Sequence, residues 1–226
     1  MTTSGTTAFS LLIADAVDEA FERVQVDLKS LNAEKLISAR RSLDLLFIEW
    51  ENEIPFQCKI SEVVINLAED DADYTLDTDI VDIVCCITRK DGLDYPVFPM
   101  SREEYHYIHD KTIDAERPTR FFLDKQTAAP VLYLFPVPDS DDVDLRIFAM
   151  RQIQDTGGLR YTPDVARRFY PAVCAGLAWK LAEKYAPDKV GEKAVLADMA
   201  LKKATQRDAE RADVRIIPVM SRRRRY

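Results

Sequence analysis

The stretch IVDIVCCITRKDGLDYPVF, residues 80–98, decides the fold class. Its first half sets Val81, Ile83, Cys85 and Ile87 against Asp82, Cys86 and Thr88, the two-residue period of a half-buried strand. Asp91-Gly92 then offers the two positive-φ positions of a tight hairpin turn, so 80–89 is expected to pair with 93–98. Alternation also precedes this hairpin, at Val63, Ile65 and Leu67. After it, strands are expected over 119–124, 131–137 and 143–153, separated by Ala129-Pro130 and the acidic turn 139–142. Pro136 and Pro138 belong at an edge or a strand end. One short helix, 101–110, interrupts the strands. Six or so short strands with turn signals between them point to an antiparallel sandwich or a partly open barrel.

On both sides of this segment the period becomes helical. Phe9, Leu12, Ile13, Ala16, Val17, Ala20, Phe21 and Val24 describe an amphipathic helix over 9–24. A second starts near Asn32, a good N-cap, and carries Leu36, Ala39, Leu43, Leu46, Phe47 and Trp50 until Ile54-Pro55 stops it, a length of about 30 Å. Thr162-Pro163 reads as the start of a helix over 164–185. Pro171 leaves two options, a short helical turn followed by the main helix, or a kink. Small residues around Gly176 and Leu177 allow close helix packing. Asp188 can cap a last helix to about 212, with Val190, Ala194, Ala197, Leu201 and Ala204 on one side. The remainder, 214–226, has no helical period and reads as an extended arm. The expected fold is therefore α+β: a helical bundle from N- and C-terminal helices (1–55 and 160–213), an inserted β domain (56–159) and the arm.

The 226 residues carry 39 acidic and 31 basic side chains, for a net charge of −8. Arg222, Arg223, Arg224 and Arg225 supply +4 of that, so everything before them sums to about −12. Such an acidic body argues against a protein that wraps DNA, which needs clustered Lys and Arg on the contacting face; any DNA contact is expected to be local or repulsive. Cys58, Cys85, Cys86 and Cys174 lack metal-ligand spacing and are expected as reduced structural thiols. No basic leader with an apolar stretch and cleavage site opens the chain, and no eighteen apolar residues run together. A soluble protein made in a cytosol, with no membrane partner, is expected.

Signatures of chemistry are missing. The six glycines form no phosphate loop or dinucleotide fingerprint, and no nucleophile elbow or zinc-protease motif occurs. His106 and His109, three apart on the short helix near Glu103 and Asp110, could begin a metal site; a solvated helix face is the simpler account. Asp139, Asp141, Asp142 and Asp144 fail the calcium-loop pattern, whose fifth, sixth and twelfth positions would be Val143, Asp144 and Met150. Glu69, Asp70, Asp71 and Asp73 read as a solvated turn before Tyr74, with a functional acidic surface as the alternative. No catalytic residue, metal or cofactor is expected. In the arm, Ile216, Ile217, Val219 and Met220 precede the four arginines and Tyr226. A solvated tail, a DNA contact and an arm docked on an acidic partner are all open readings; the four apolar residues favour docking.

Ordered blocks of the chain resemble the podovirus head-to-tail adaptor family, also called tail tubular protein A or gatekeeper proteins. They are Tyr74-Thr75-Leu76, Asp82-Ile83, Gly92, Ser101-Arg102-Glu103-Glu104-Tyr105, Lys111, Arg117-Pro118-Thr119 and the segment 132–138 with Pro136 and Pro138. Phe169-Tyr170-Pro171-Ala172, Gly176-Leu177-Ala178 and Leu181-Ala182-Glu183-Lys184-Tyr185 complete the set. The pattern departs at Glu116, where glycine is expected. The resemblance implies a virion protein: a ring of copies of itself, a dodecamer, seated under the portal protein. It would extend the DNA channel for double-stranded DNA without sequence-specific binding and carry the tail nozzle or fibres. Competing readings are another virion or DNA-contacting module, or a metal-dependent cytosolic hydrolase built on His106 and His109.

Overall fold

The computed structural model describes residues 5–209. The expected arm, with Ile216, Ile217, Val219, Met220, Arg222, Arg223, Arg224, Arg225 and Tyr226, lies outside the described residues.

The first helix, α1 (Ile13–Val24), is shorter than its apolar period suggests. Its start is set from outside, because the Ile13 and Ala14 N–H groups donate to the Tyr161 and Leu159 carbonyls at 2.8 and 2.9 Å. Phe9 is left outside the helix, its ring 6.3 Å from that of Tyr170. Helix α2 (Ala33–Glu53) begins where the sequence places it: Asn32 Oδ1 accepts from the Lys35 N–H at 2.9 Å. It ends at Ile54, which is extended, as the residue before a proline prefers.

After the strands come α4 (Tyr170–Tyr185) and α5 (Val190–Asp208), while the short α3 (Arg102–Tyr107) lies among the strands. Thr162-Pro163 does not start a helix, contrary to expectation. The chain makes bends and one tight turn over Arg167–Phe169, and α4 then begins with Pro171 in its first turn, where a missing N–H removes no helical hydrogen bond. Asp188 caps nothing; it sits within a tight turn, Pro187–Lys189, that leads into α5. Helices α1, α2, α4 and α5 share one apolar core that includes Phe21, Leu43, Leu46, Phe169, Leu177 and Leu181.

Between the helices lie ten strands: β1 (Ile60–Asn66), β2 (Asp73–Thr75), β3 (Ile80–Lys90), β4 (Leu93–Pro96), β5 (Phe98–Pro99), β6 (Asp114–Ala115), β7 (Arg120–Asp124), β8 (Val131–Phe135), β9 (Val137–Pro138) and β10 (Asp144–Arg151). Helix α3 (Arg102–Tyr107) follows β5. Two four-stranded sheets form, in the orders β1-β10-β3-β4 and β2-β8-β7-β5, with β6 and β9 as a separate pair. No sheet closes into a barrel. The pairing is antiparallel apart from β5 with β7 and β6 with β9. The expected hairpin is present: Lys90 pairs with Leu93 across Asp91 (φ 52°) and Gly92 (φ 78°).

The facing of β3 differs from the simple alternation. Cys86 and Thr88 are buried and Cys85 is exposed; of the four residues expected to share one face, only Ile83 packs on the core. The cause is a bulge. Phe148 pairs with Cys85 but Ala149 with Ile83, so Val84 has no partner and the strand changes face there. The expected strand 93–98 is also divided. Pro96 ends β4, the Val97 N–H still reaches Cys86 O at 2.9 Å, and Phe98 already donates to Thr119, which leads into β7 of the second sheet. Pro136 similarly separates β8 from β9.

Inward side chains of both sheets, among them Leu132, Leu134, Leu145, Ile147 and Phe121, make a second apolar core distinct from the helical one. The first and last strands of this region are neighbours, with Ile60 opposite Met150 and Asn66 opposite Asp144. The chain thus enters and leaves the sheets side by side.

Candidate assembly surfaces

The returning segment, 152–164, fastens the strand region to the helices. The Ile153 N–H donates to the Glu51 carboxylate, Thr156 N–H to Asp44 Oδ1 at 2.9 Å, and Arg40 donates to Gly157 O at 2.8 Å. Lys59 pairs with Asp164, which also accepts from the Gln154 N–H at 3.0 Å. Burial pushes the Glu51 carboxyl above its ordinary value; the Ile153 N–H and Lys59 oppose that only in part. A similar tie closes the other end: buried Asp208 of α5 accepts from the Gln57 N–H at 2.9 Å and pairs with Arg168. Open hollows of about 820 and 920 Å³ border this seam, and Asp155 and Gln154 line both.

Helix α3 lies on the outer side of the second sheet. Its start is a capping box: the Glu104 N–H donates to Ser101 Oγ at 3.1 Å and the Ser101 N–H to Glu104 Oε2 at 2.7 Å. That orientation sets Tyr105 against Phe122 and Tyr133, with ring centroids 5.5 and 5.1 Å away. Arg102 pairs with Asp124 and spans the Phe122 ring. The helix ends at Tyr107, earlier than expected, because Ile108 turns extended and Asp110 accepts from the Thr112 N–H and hydroxyl instead. His109 is therefore off the helix, and the one-face arrangement with His106 does not form. Among the described residues, no group of three His, Cys, Asp or Glu side chains is placed to hold a metal ion.

The remaining motif residues hold the strand region together. Tyr74 Oη accepts from the Ala68 N–H at 3.0 Å, Leu76 is buried in the sheet core, and Arg117 lies 3.9 Å from the Tyr95 ring centroid. Pro118 and Pro138 are buried, and the Pro138 carbonyl accepts from the Asp70 N–H at 3.1 Å. Glu116, found where glycine was expected, has no positive φ and pairs with Lys90 at 3.2 Å. Two acidic turns meet nearby, the Glu69 N–H donating to Asp141 Oδ1 at 2.6 Å.

Two apolar surfaces have no signature in the sequence period. On α2, Ile37, Leu45 and Ile48 face away from the core; on α5, Val195, Leu196 and Met199 do the same. Each helix is apolar on two sides, so the outer residues add no clear period of their own. They lie on the sides of these helices turned away from the shared core.

A family model described as SU10 adaptor protein matches residues 9–224, nearly the whole chain. The chain belongs to that family. It is a family of phage head-to-tail adaptors, which agrees with the resemblance carried by the ordered blocks. A comparison with curated proteins gives no match.

Within this SU10-family adaptor, Gly176 and Leu177 have a plain physical role. A Cβ on Gly176 would stand 2.6 Å from Leu46 Cδ2 and 3.3 Å from Trp50, so α4 and α2 approach closely only because this residue is glycine. Leu177 beside it is fully buried in the helical core. No helix among the described residues of the adaptor is long and apolar enough to cross a membrane.

Proposed function

We propose that this adaptor assembles into a closed ring, a dodecamer, beneath the portal protein of a phage virion. There it continues the channel through which double-stranded DNA passes and presents a platform to the tail nozzle or fibres. The reading rests on the family match over residues 9–224. Two further features support it. The helical core carries apolar outer faces on two of its helices, as a subunit that contacts neighbouring copies requires. The chain before the terminal arginines sums to about −12, and a channel lined by such a body repels phosphates so that DNA slides without sticking.

In this reading the helices of 1–55 and 160–213 form one domain that supplies the ring contact, while 56–159 is an insert that meets other virion parts. The arm, 214–226, reaches the portal: its four apolar residues dock and Arg222, Arg223, Arg224 and Arg225 find acidic partners. Electron microscopy of the protein mixed with purified portal tests this. A ring of adaptor density stacked on the portal supports it; portal particles with bare bases, and free single subunits, overturn it. Deleting 214–226 should leave the ring subunit folded while weakening portal attachment.

A further inference from the structure

We infer that the ring contact is a parallel two-helix seam, in which the outer face of α2 in one copy packs on the outer face of α5 in the next. The inference rests on the ring reading above and specifies its contact.

The outer residues of the two helices share one spacing. On α2 they are Arg41, Leu45, Ile48 and Asn52; on α5 they are Glu192, Leu196, Met199 and Lys203. Both run in steps of four, three and four, the spacing of the facing positions in a coiled-coil seam. All eight are exposed, with Leu45 and Ile48 each at 53% and Leu196 and Met199 at 47% and 48%. Neither apolar pair has a partner within its own chain's core. Beside the α5 face runs an open groove of about 540 Å³, bordered by Pro171, Leu196, Met199 and Lys203.

Charge selects the direction. In a parallel seam Arg41 meets Glu192, Leu45 meets Leu196, Ile48 meets Met199, and the Asn52 amide meets the Lys203 ammonium. Reversing one helix brings Arg41 against Lys203, two cations, and removes the ion pair. Within its own chain Arg41 has no ion pair among the described residues, and Glu192 touches only the adjacent Lys193, at 3.0 Å. Both remain available to a neighbour.

Placement favours a ring over a two-fold pair. The α4 face that meets α2 holds Gly176 against Leu46, Lys180 2.8 Å from Glu49 Oε1 and Lys184 2.6 Å from Ser42 Oγ. Pro171, which borders the α5 groove, lies about 140° round α4 from Gly176. Helices α2 and α5 thus meet α4 on different sides. Two unlike patches make a head-to-tail contact, which closes into a ring when the rotation from copy to copy returns on itself.

The test uses the full chain with its exposed thiols removed (Cys58→Ser, Cys85→Ser), mixed with portal. Adding Leu45→Cys and Leu196→Cys together should give, on mild oxidation, a ladder of covalent multimers; either substitution alone should give none. Arg41→Glu should raise the concentration needed for assembly at least tenfold, and adding Glu192→Arg should restore it. A covalent dimer from Leu45→Cys alone would show a two-fold α2 contact and overturn the inference, as would thiol links to portal in place of the ladder. Portal-bound rings that form no 45–196 link would sink the seam while leaving the ring intact. Absence of any assembly, with or without portal, would sink both.

Discussion

Gly176 of α4 lies under Leu46 of α2 at a separation that leaves no room for a methyl group: an added Cβ would be 2.6 Å from Leu46 Cδ2. Leu46 is itself buried and also held by its neighbours in the helical core, so it has little freedom to move aside. Helix propensity favours alanine over glycine by about 1 kcal/mol, whereas overpacking costs about 1–3 kcal/mol. Overpacking wins at this site. Gly176→Ala should lower stability by about 1 kcal/mol in urea unfolding. Combined with Leu46→Ala it should cost less than the sum of the two single changes, because the second removes the clashing atoms. Strict additivity would show that the two side chains do not compete for space.

The α3 capping box ties the aromatic platform to the sheet. Ser101→Ala removes the acceptor for the Glu104 N–H and should cost about 1 kcal/mol. Hydrogen exchange should rise in α3 while the helical core, which is separate, keeps its protection. Uniform loss of protection across the protein would contradict the separation of the cores.

Burial raises the Glu51 carboxyl above its ordinary 4.5, so the fold holds its proton more tightly than the unfolded chain does. The stability this group contributes is complete below pH 4.5 and is lost as pH rises through the folded-state value. Glu51→Gln cannot ionise and keeps an oxygen facing the Ile153 N–H. Its melting temperature should exceed that of the unaltered protein at pH 7 and converge with it near pH 4. A lower melting temperature at pH 7 would mean that attraction to Lys59 outweighs burial.

Thiol reactivity should divide the cysteines in two. Cys58 and Cys85 are exposed; Cys86 and Cys174 are buried, and burial pushes the Cys86 thiol up to about 12. Alkylation at pH 8 should modify two thiols in the folded protein and four after denaturation. Rapid labelling of Cys86 would place β3 in the opposite facing, the one simple alternation suggests.

Much of the architecture was legible in local chemistry. The Asn32 cap, the Asp91-Gly92 turn, the Ser101 capping box and the inner face of α5 are decided by residues close in sequence. Features decided at a distance were not. The start of α1 depends on carbonyls of Leu159 and Tyr161, about 150 residues away, and the facing of β3 depends on a bulge against β10. The outer apolar faces of α2 and α5 were hidden for another reason. Helical period reveals one buried side, and a helix that is apolar on two sides blurs it.

In the function we propose, the protein works by joining copies of itself beneath a portal, and the mass of the mixture reports that assembly. Native mass spectrometry of the full chain with purified portal should show portal gaining a fixed whole number of 25.8 kDa subunits, with few partial complexes. Portal of unchanged mass beside free 25.8 kDa chains would contradict it.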